Sequence, residues 1–179
     1  MGTKKDIERR AKKIRLVCTD VDGVLTDGHM QYGPESGHWK QFYVRDGVGI
    51  KALQKSGIPV VFISGQRSEA TDKRAKDLGV EDCFTGIATK VSLIEKICTK
   101  YRVSFDEVAY VGDDMIDIGL LRQAGLAMCP RDAVPEVLEI AHWIVPKDGG
   151  KGVIRAVAEF ILKSKGLWEG LVDSYLNEK

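Results

Sequence analysis

The sequence predicts an α/β fold in three layers, a parallel sheet with helices on both faces. Short apolar runs rich in Val and Ile recur at Ile14–Cys18, Pro59–Ile63 and Glu107–Val111, as in strands buried on both sides. Segments with helical spacing lie between them, and strands alternating with helices make a parallel sheet. The runs end in acidic or hydroxyl residues, at Asp20/Asp22, Ser64 and Asp113/Asp114. In such sheets ligands collect beyond the carboxyl ends of the strands, so these clusters are expected to converge.

Taken in order, Lys4 to Lys13 is polar and reads as a short surface helix or a frayed end. The first strand follows, then the Asp loop. His29–Tyr32 and Trp39–Val44 flank Gly33-Pro34-Glu35-Ser36-Gly37, which predicts a β-hairpin over 28–44. Val48 to Lys55 is a helix closed by Gly57, with Asp46 as its N-cap. After Pro59–Ile63 and Ser64-Gly65 comes a charged helix from Ser68 to Leu78, ended by Gly79, then a short strand at Cys83–Thr85. Val91, Ile94, Ile97 and Cys98 repeat at helical spacing over Val91–Tyr101. A strand to Val111 leads into Gly112-Asp113-Asp114, and Asp117 opens a helix through Gln123. Leu126–Met128 and Trp143–Val145 are further strands around a helix at Val134–Ile140. Gly149-Gly150 introduces a helix over Lys151–Lys163, and an apolar tail spans 166–179.

At 179 residues, 44% hydrophobic and 30% charged, the chain suits one domain over 1–179 with a real core. Lys+Arg 27 against Asp+Glu 26 gives +1, so no basic excess argues for a nucleic-acid partner. No apolar run is long enough for a membrane span, and the charged N-terminus lacks the apolar core of a signal peptide. Cys18, Cys83, Cys98 and Cys129 sit singly in apolar segments, with no Cys-x-x-Cys pair to suggest zinc. They are expected to be reduced and buried in a cytoplasmic protein. His29, His38 and His142 have no metal-binding spacing and are expected at the surface or in the hairpin.

Asp20-Val21-Asp22-Gly23 is the stretch around which the chemistry is organised. Side chains at i and i+2 share a face, so two carboxylates leave the end of the first strand together. They repel unless a proton or a cation lies between them, and a hard cation with oxygen ligands, Mg2+, is the economical solution. By itself Asp-x-Asp is also what a solvated turn after a strand looks like.

Four motifs in order alter that balance. Asp20-Val-Asp22-Gly-Val-Leu-Thr, Ile63-Ser64-Gly65, Lys90 and Gly112-Asp113-Asp114-x-x-Asp117 resemble the motifs of the haloacid dehalogenase (HAD) superfamily of phosphatases, over nearly the whole chain. The resemblance implies a Rossmann-like fold, Mg2+ as cofactor and an aspartyl-phosphate intermediate. It assigns Asp20 as nucleophile, Asp22 as the acid and base, and Lys90 and Ser64 as catalytic partners, with the Gly65 amide donating to the phosphoryl oxygens. Asp20, the backbone carbonyl of Asp22, and Asp113 would hold the metal, and Asp114 and Asp117 would orient its water and Lys90. These roles suit a phosphate monoester, which needs a nucleophile, charge neutralisation and a protonated leaving group.

Many members of that superfamily insert a cap domain, and neither gap between these motifs is long enough for one here. The capless subgroup is similar, and its hairpins meet around a tetramer axis so that neighbours enclose each site. Within it, Phe42-Tyr-Val-Arg45-Asp46-Gly47 and Gly149-Gly150-Lys151-Gly152 resemble the 3-deoxy-D-manno-octulosonate 8-phosphate phosphatases. That implies a phosphorylated sugar-acid substrate, with Gly65, Gln66, Arg74 and Arg45 as substrate-binding candidates. Relatives acting on nine-carbon sialic-type acid 9-phosphates carry Glu where this chain has Gln66, which tilts the reading to the eight-carbon acid. Arg74 suits a carboxylate, or is a solvated helix arginine. A non-catalytic oligomerisation module is the alternative of another class, and the intact Asp20, Asp22, Lys90 and Asp113 argue against it.

Overall fold

The computed structural model describes residues 3–32, 38–87 and 89–177. Its centre is a six-stranded sheet whose pairings are all parallel. In chain order, α1 (Lys4–Lys13) leads to β1 (Leu16–Thr19), a hairpin of β2 (Gln31–Tyr32) and β3 (His38–Trp39), then α2 (Val44–Lys55). There follow β4 (Val60–Ile63), α3 (Glu69–Leu78), β5 (Asp82–Phe84), α4 (Val91–Tyr101), β6 (Val108–Val111) and α5 (Ile118–Leu121). The chain ends with β7 (Leu126–Cys129), α6 (Pro135–Ile140), β8 (Trp143–Ile144), α7 (Val153–Ser164) and α8 (Trp168–Leu176).

The strand order is β5-β4-β1-β6-β7-β8. From β1 the chain builds outward to one side through β4 and β5, then returns to β6 and builds to the other. The direction therefore reverses beside β1, and the crevice at its carboxyl end is where such folds bind ligands. Alternation along the strands fills two cores. Val17, Phe62, Val111 and Met128 face α2 and α7, while Leu16, Cys18, Val61 and Ile63 face α4, α5 and α6. The three-layer architecture is the one the sequence predicts. Of the cysteines, Cys18, Cys98 and Cys129 are buried and Cys83 is half-buried, all as free thiols.

Several boundaries differ from the sequence reading. The hairpin pairs only Gln31 with Trp39 and Tyr32 with His38, and its predicted turn, 33–37, lies outside the described residues. The predicted strand to Val44 stops at Trp39. Phe42 packs against the core, and Val44 already begins α2. Asp46 is consequently no N-cap of its own helix. It sits in the first turn, faces inward, and accepts a hydrogen bond at 2.8 Å from the Arg155 amide at the start of α7. Burial pushes its carboxyl up to about 6, opposed by backbone bonds from that helix start. The helix predicted from Asp117 is a 3-10 turn, Met115–Asp117, followed by the four residues of α5, because Asp117 is drawn inward. The tail is a helix docked on its own chain: Leu171 is buried, Trp168 packs on the core, and Lys55 lies 4.7 Å from the Tyr175 ring. His142 is half-buried and accepts a bond from the Ala127 amide at 2.9 Å, so it is not a plain surface residue.

Candidate active site

Asp20 directly follows β1, and its amide donates to the Val111 carbonyl at 2.8 Å, so the end of β6 fixes its position. The loop beyond is anchored from below by buried Val21, Val24 and Leu25 and by Thr26, whose hydroxyl accepts from the Gly23 and Gly28 amides. Gly23 has φ 88°, and a Cβ there would overlap the Asp113 carboxylate. Only glycine lets the loop backbone pass so close to the second acidic cluster.

Lys90 is the residue before α4 and is only 3% exposed. Its ammonium lies 2.7 Å from Asp20 Oδ1 and 2.7 Å from Asp117 Oδ1. Burial alone lowers its pKa, but the two carboxylates outweigh that and the net direction is up, so the lysine is a fixed cation. Asp117 is fully buried and fully occupied. Tyr110 donates to its Oδ1 at 2.6 Å, and the Asp113 and Asp114 amides donate to its Oδ2 at 3.0 and 3.4 Å. A Cβ at Gly112 would collide with it, which accounts for that glycine. Asp114 starts the 3-10 turn, accepting from the Met115 amide at 2.6 Å.

One carboxylate oxygen from each of Asp20, Asp113 and Asp117 lies within 4.8 Å of the others. Because Asp117 is already saturated by donors, the pair open to a cation is Asp20 and Asp113. Asp113 Oδ1 is buried with no hydrogen-bond partner. Burial pushes the Asp113 carboxyl up to about 8, with Asp20 and Asp117 adding repulsion. Burial likewise raises Asp20 to about 7, with Asp117 adding and Lys90 opposing. An orphaned carboxylate oxygen among like charges suits a hard cation, and all-oxygen donors fit Mg2+.

A cavity of about 290 Å³ lies over this cluster, lined by Asp20, Asp22, Gly28, Met30, Gly65, Gln66, Asp113, Asp114 and Ile116. Ser64 is buried at the end of β4, donates to Asp22 Oδ2 at 3.0 Å and accepts from the Gln66 amide at 3.1 Å. Thus the motif residues from four strand or helix ends meet in one place. Arg45 and Arg74 do not join them. Arg74 lies over Gly47 and 5.8 Å from the Phe42 ring, because α3 turns its face toward α2. Arg45 lines a separate cavity of about 460 Å³ with Tyr43, Lys147, Lys151 and Arg155. The sequence reading missed Lys40 altogether. Its side chain is 3% exposed and its ammonium is 2.6 and 2.8 Å from the two oxygens of Asp22. A lone lysine after a hairpin carries no motif by which to find it.

The family model described as haloacid dehalogenase-like hydrolase matches residues 84–157. A 3-deoxy-D-manno-octulosonate 8-phosphate phosphatase of Yersinia pestis is 37% identical over 165 residues, covering 92% of this chain and 88% of that protein. The structure of the corresponding phosphatase from Moraxella catarrhalis, in complex with magnesium, phosphate and KDO, superposes with a TM-score of 0.93 at 34% identity, over 96% of this chain and 99% of that one. A cobalt-bound phosphatase from Haemophilus influenzae gives 0.89 at 32% identity, over 94% and 99%. With such identity along nearly its full length, and the fold and acidic cluster described above, this chain belongs to the 3-deoxy-D-manno-octulosonate 8-phosphate phosphatase family of haloacid dehalogenase-like hydrolases.

Proposed function

We propose that this protein is a Mg2+-dependent phosphatase that hydrolyses 3-deoxy-D-manno-octulosonate 8-phosphate to the free sugar acid and inorganic phosphate. The observation that carries the reading is the convergence of Asp20, Asp22 and Asp113 on one cavity, with Lys90 bonded to Asp20 and Ser64 to Asp22, in a chain with that family's sequence. Neither the nine-carbon substrate nor the non-catalytic module is favoured by any relative described above.

In this reading Lys90 holds Asp20 Oδ1 and leaves the other oxygen to attack phosphorus. The ester bond breaks as Asp22 gives its proton to the leaving sugar oxygen, and Asp22 then takes a proton from the water that frees Asp20. Ser64 and the Gly65 amide donate to the phosphoryl oxygens, and Gln66 faces the substrate across the cavity. Asp20, Asp113 and the carbonyl of Asp22 would hold Mg2+, which when bound neutralises charge between the carboxylates and the phosphoryl group. Asp117 orients this set from behind, and Asp114 joins it through its amide bond to Asp117.

A phosphate-release assay with and without Mg2+, on the eight-carbon acid 8-phosphate and a nine-carbon sialic-type acid 9-phosphate, tests the substrate. The expected result is at least about a tenfold higher kcat/KM for the former, a margin ordinary for pocket discrimination. Equal rates, or no turnover of the eight-carbon ester, would defeat the reading.

The assembly we propose is a homotetramer with sites shared between subunits. The cavity over Asp20 is small and open for an eight-carbon sugar acid, and phosphoryl transfer benefits from excluding water. Trp39 at 69% exposure and Val44 at 75% offer apolar contact surface beside the hairpin. Because Phe42 is half-buried and packs against the core, the informative variant is Trp39→Lys alone. It should lower the sedimenting mass and cost more activity on the sugar acid than on 4-nitrophenyl phosphate, and a wild-type monomer with full sugar-phosphate activity would exclude the assembly. The free thiols support a cytoplasmic setting, and no helix among the described residues is long and apolar enough to cross a membrane.

A further inference from the structure

Lys40 has a pairing that the reading above does not use. It follows β3, and consecutive extended residues point to opposite sides. Trp39 accordingly stands 69% exposed, while the Lys40 side chain turns inward to 3% exposure. Its ammonium grips both oxygens of Asp22, at 2.6 and 2.8 Å, and Ser64 adds a third donor at 3.0 Å to Asp22 Oδ2. Asp22 itself is 31% exposed in its side chain and rides on a loop. Among the described residues, the donors that hold its carboxylate over the cavity come from outside its own segment. Among the described residues the hydrogen-bonding partner of this buried ammonium is a half-exposed aspartate, an expensive way to tie down a hairpin, since desolvating the ammonium costs energy that a surface pair would not.

We propose that Lys40 is a positioning residue for the second half of the reaction, an inference that rests on the phosphatase reading above. Once the leaving alcohol has taken its proton, Asp22 is a carboxylate, the form a lysine clamp suits. Held by Lys40 while the Ser64 hydroxyl turns to the phosphoryl group, it takes a proton from the attacking water. The water oxygen bonds to phosphorus, the bond from phosphorus to Asp20 breaks with its electron pair returning to the Asp20 carboxylate, and inorganic phosphate departs. The proton now on Asp22 serves the next alcohol, so the cycle closes without another reactant. Fixing one carboxylate orientation converts a mobile base into a placed one, which is where proximity gains arise.

The test uses the full chain with Mg2+ and 4-nitrophenyl phosphate. Its phenolate leaves without needing a proton, and kcat/KM reports only the steps through that departure. For Lys40→Met, kcat should fall about tenfold while kcat/KM stays within about threefold, with a burst approaching one phenolate per site and a phosphoryl adduct on Asp20 in the intact mass. Lys40→Arg, which keeps the charge and donors, should recover kcat and abolish the burst. If Lys40→Met does not fold, Lys40→Gln carries the same comparison. Equal falls in kcat and kcat/KM with no burst would mean a merely structural anchor and overturn the proposal, as would an unchanged kcat. A wild-type enzyme that cleaves the aryl ester but not the sugar phosphate sinks the substrate reading alone. One that cleaves neither ends both.

Discussion

Asp20→Asn should release no measurable phosphate while melting at nearly the wild-type temperature. The amide oxygen can still accept from Lys90, and the loop's anchors, Val21, Val24, Leu25 and Thr26, are untouched. What disappears is the anionic oxygen proposed to attack phosphorus, together with one of the two charges open to the cation. Loss of a covalent nucleophile costs on the order of 10⁴-fold or more in kcat, because the remaining groups stabilise a transition state that can no longer form. Steady-state assays with the sugar phosphate and intact-mass spectra searching for the phosphoryl adduct check it. Turnover within about a hundredfold of wild type would rule out the aspartyl-phosphate route.

Removing the metal should abolish activity and leave a protein whose stability falls as pH rises. Asp20 and Asp113 have folded pKa values of about 7 and about 8, above their unfolded values, so the folded state keeps protons that the unfolded chain has released. Stability then falls as pH rises through that range. Asp46, at about 6, acts in the same sense lower down, and His142, whose pKa burial lowers, acts oppositely at and below its ordinary value. Between about pH 6.5 and 8.5 the two site aspartates therefore dominate. Chelated protein should lose melting temperature across this window, and millimolar Mg2+ should restore more of it the higher the pH, by ligand linkage. Calorimetry at several pH values decides the matter. A Mg2+ shift independent of pH, or full activity after exhaustive chelation, would remove Asp20 and Asp113 as the cation's ligands.

Much of this protein was legible in its sequence because the relevant signals are local. Strands buried on both faces read as continuous apolar runs, and Val17, Val61 and Val111 are where that pattern predicts. The motif residues fall at the ends of β1, β4 and β6, so a parallel topology suffices to bring them near each other. Boundaries were less legible where long-range contacts override propensity. Asp46 looks like a helix cap, yet it caps a different helix, α7, more than a hundred residues on. Phe42 looks like hairpin surface, yet the early start of α2 turns it into the core.

The sequence by itself determined the layered fold, the set of chemically competent residues and the order in which they arrive, because periodicity and residue type are properties of the chain alone. The tertiary structure decided which of them touch. It saturated Asp117 with Lys90, Tyr110 and two amides, left Asp113 Oδ1 bare, carried Arg45 and Arg74 away from the cavity and brought in Lys40. The reason is physical: burial and the pairing of charges depend on where distant segments meet. A buried carboxylate with four donors and one with a bare oxygen are the same letter in the sequence.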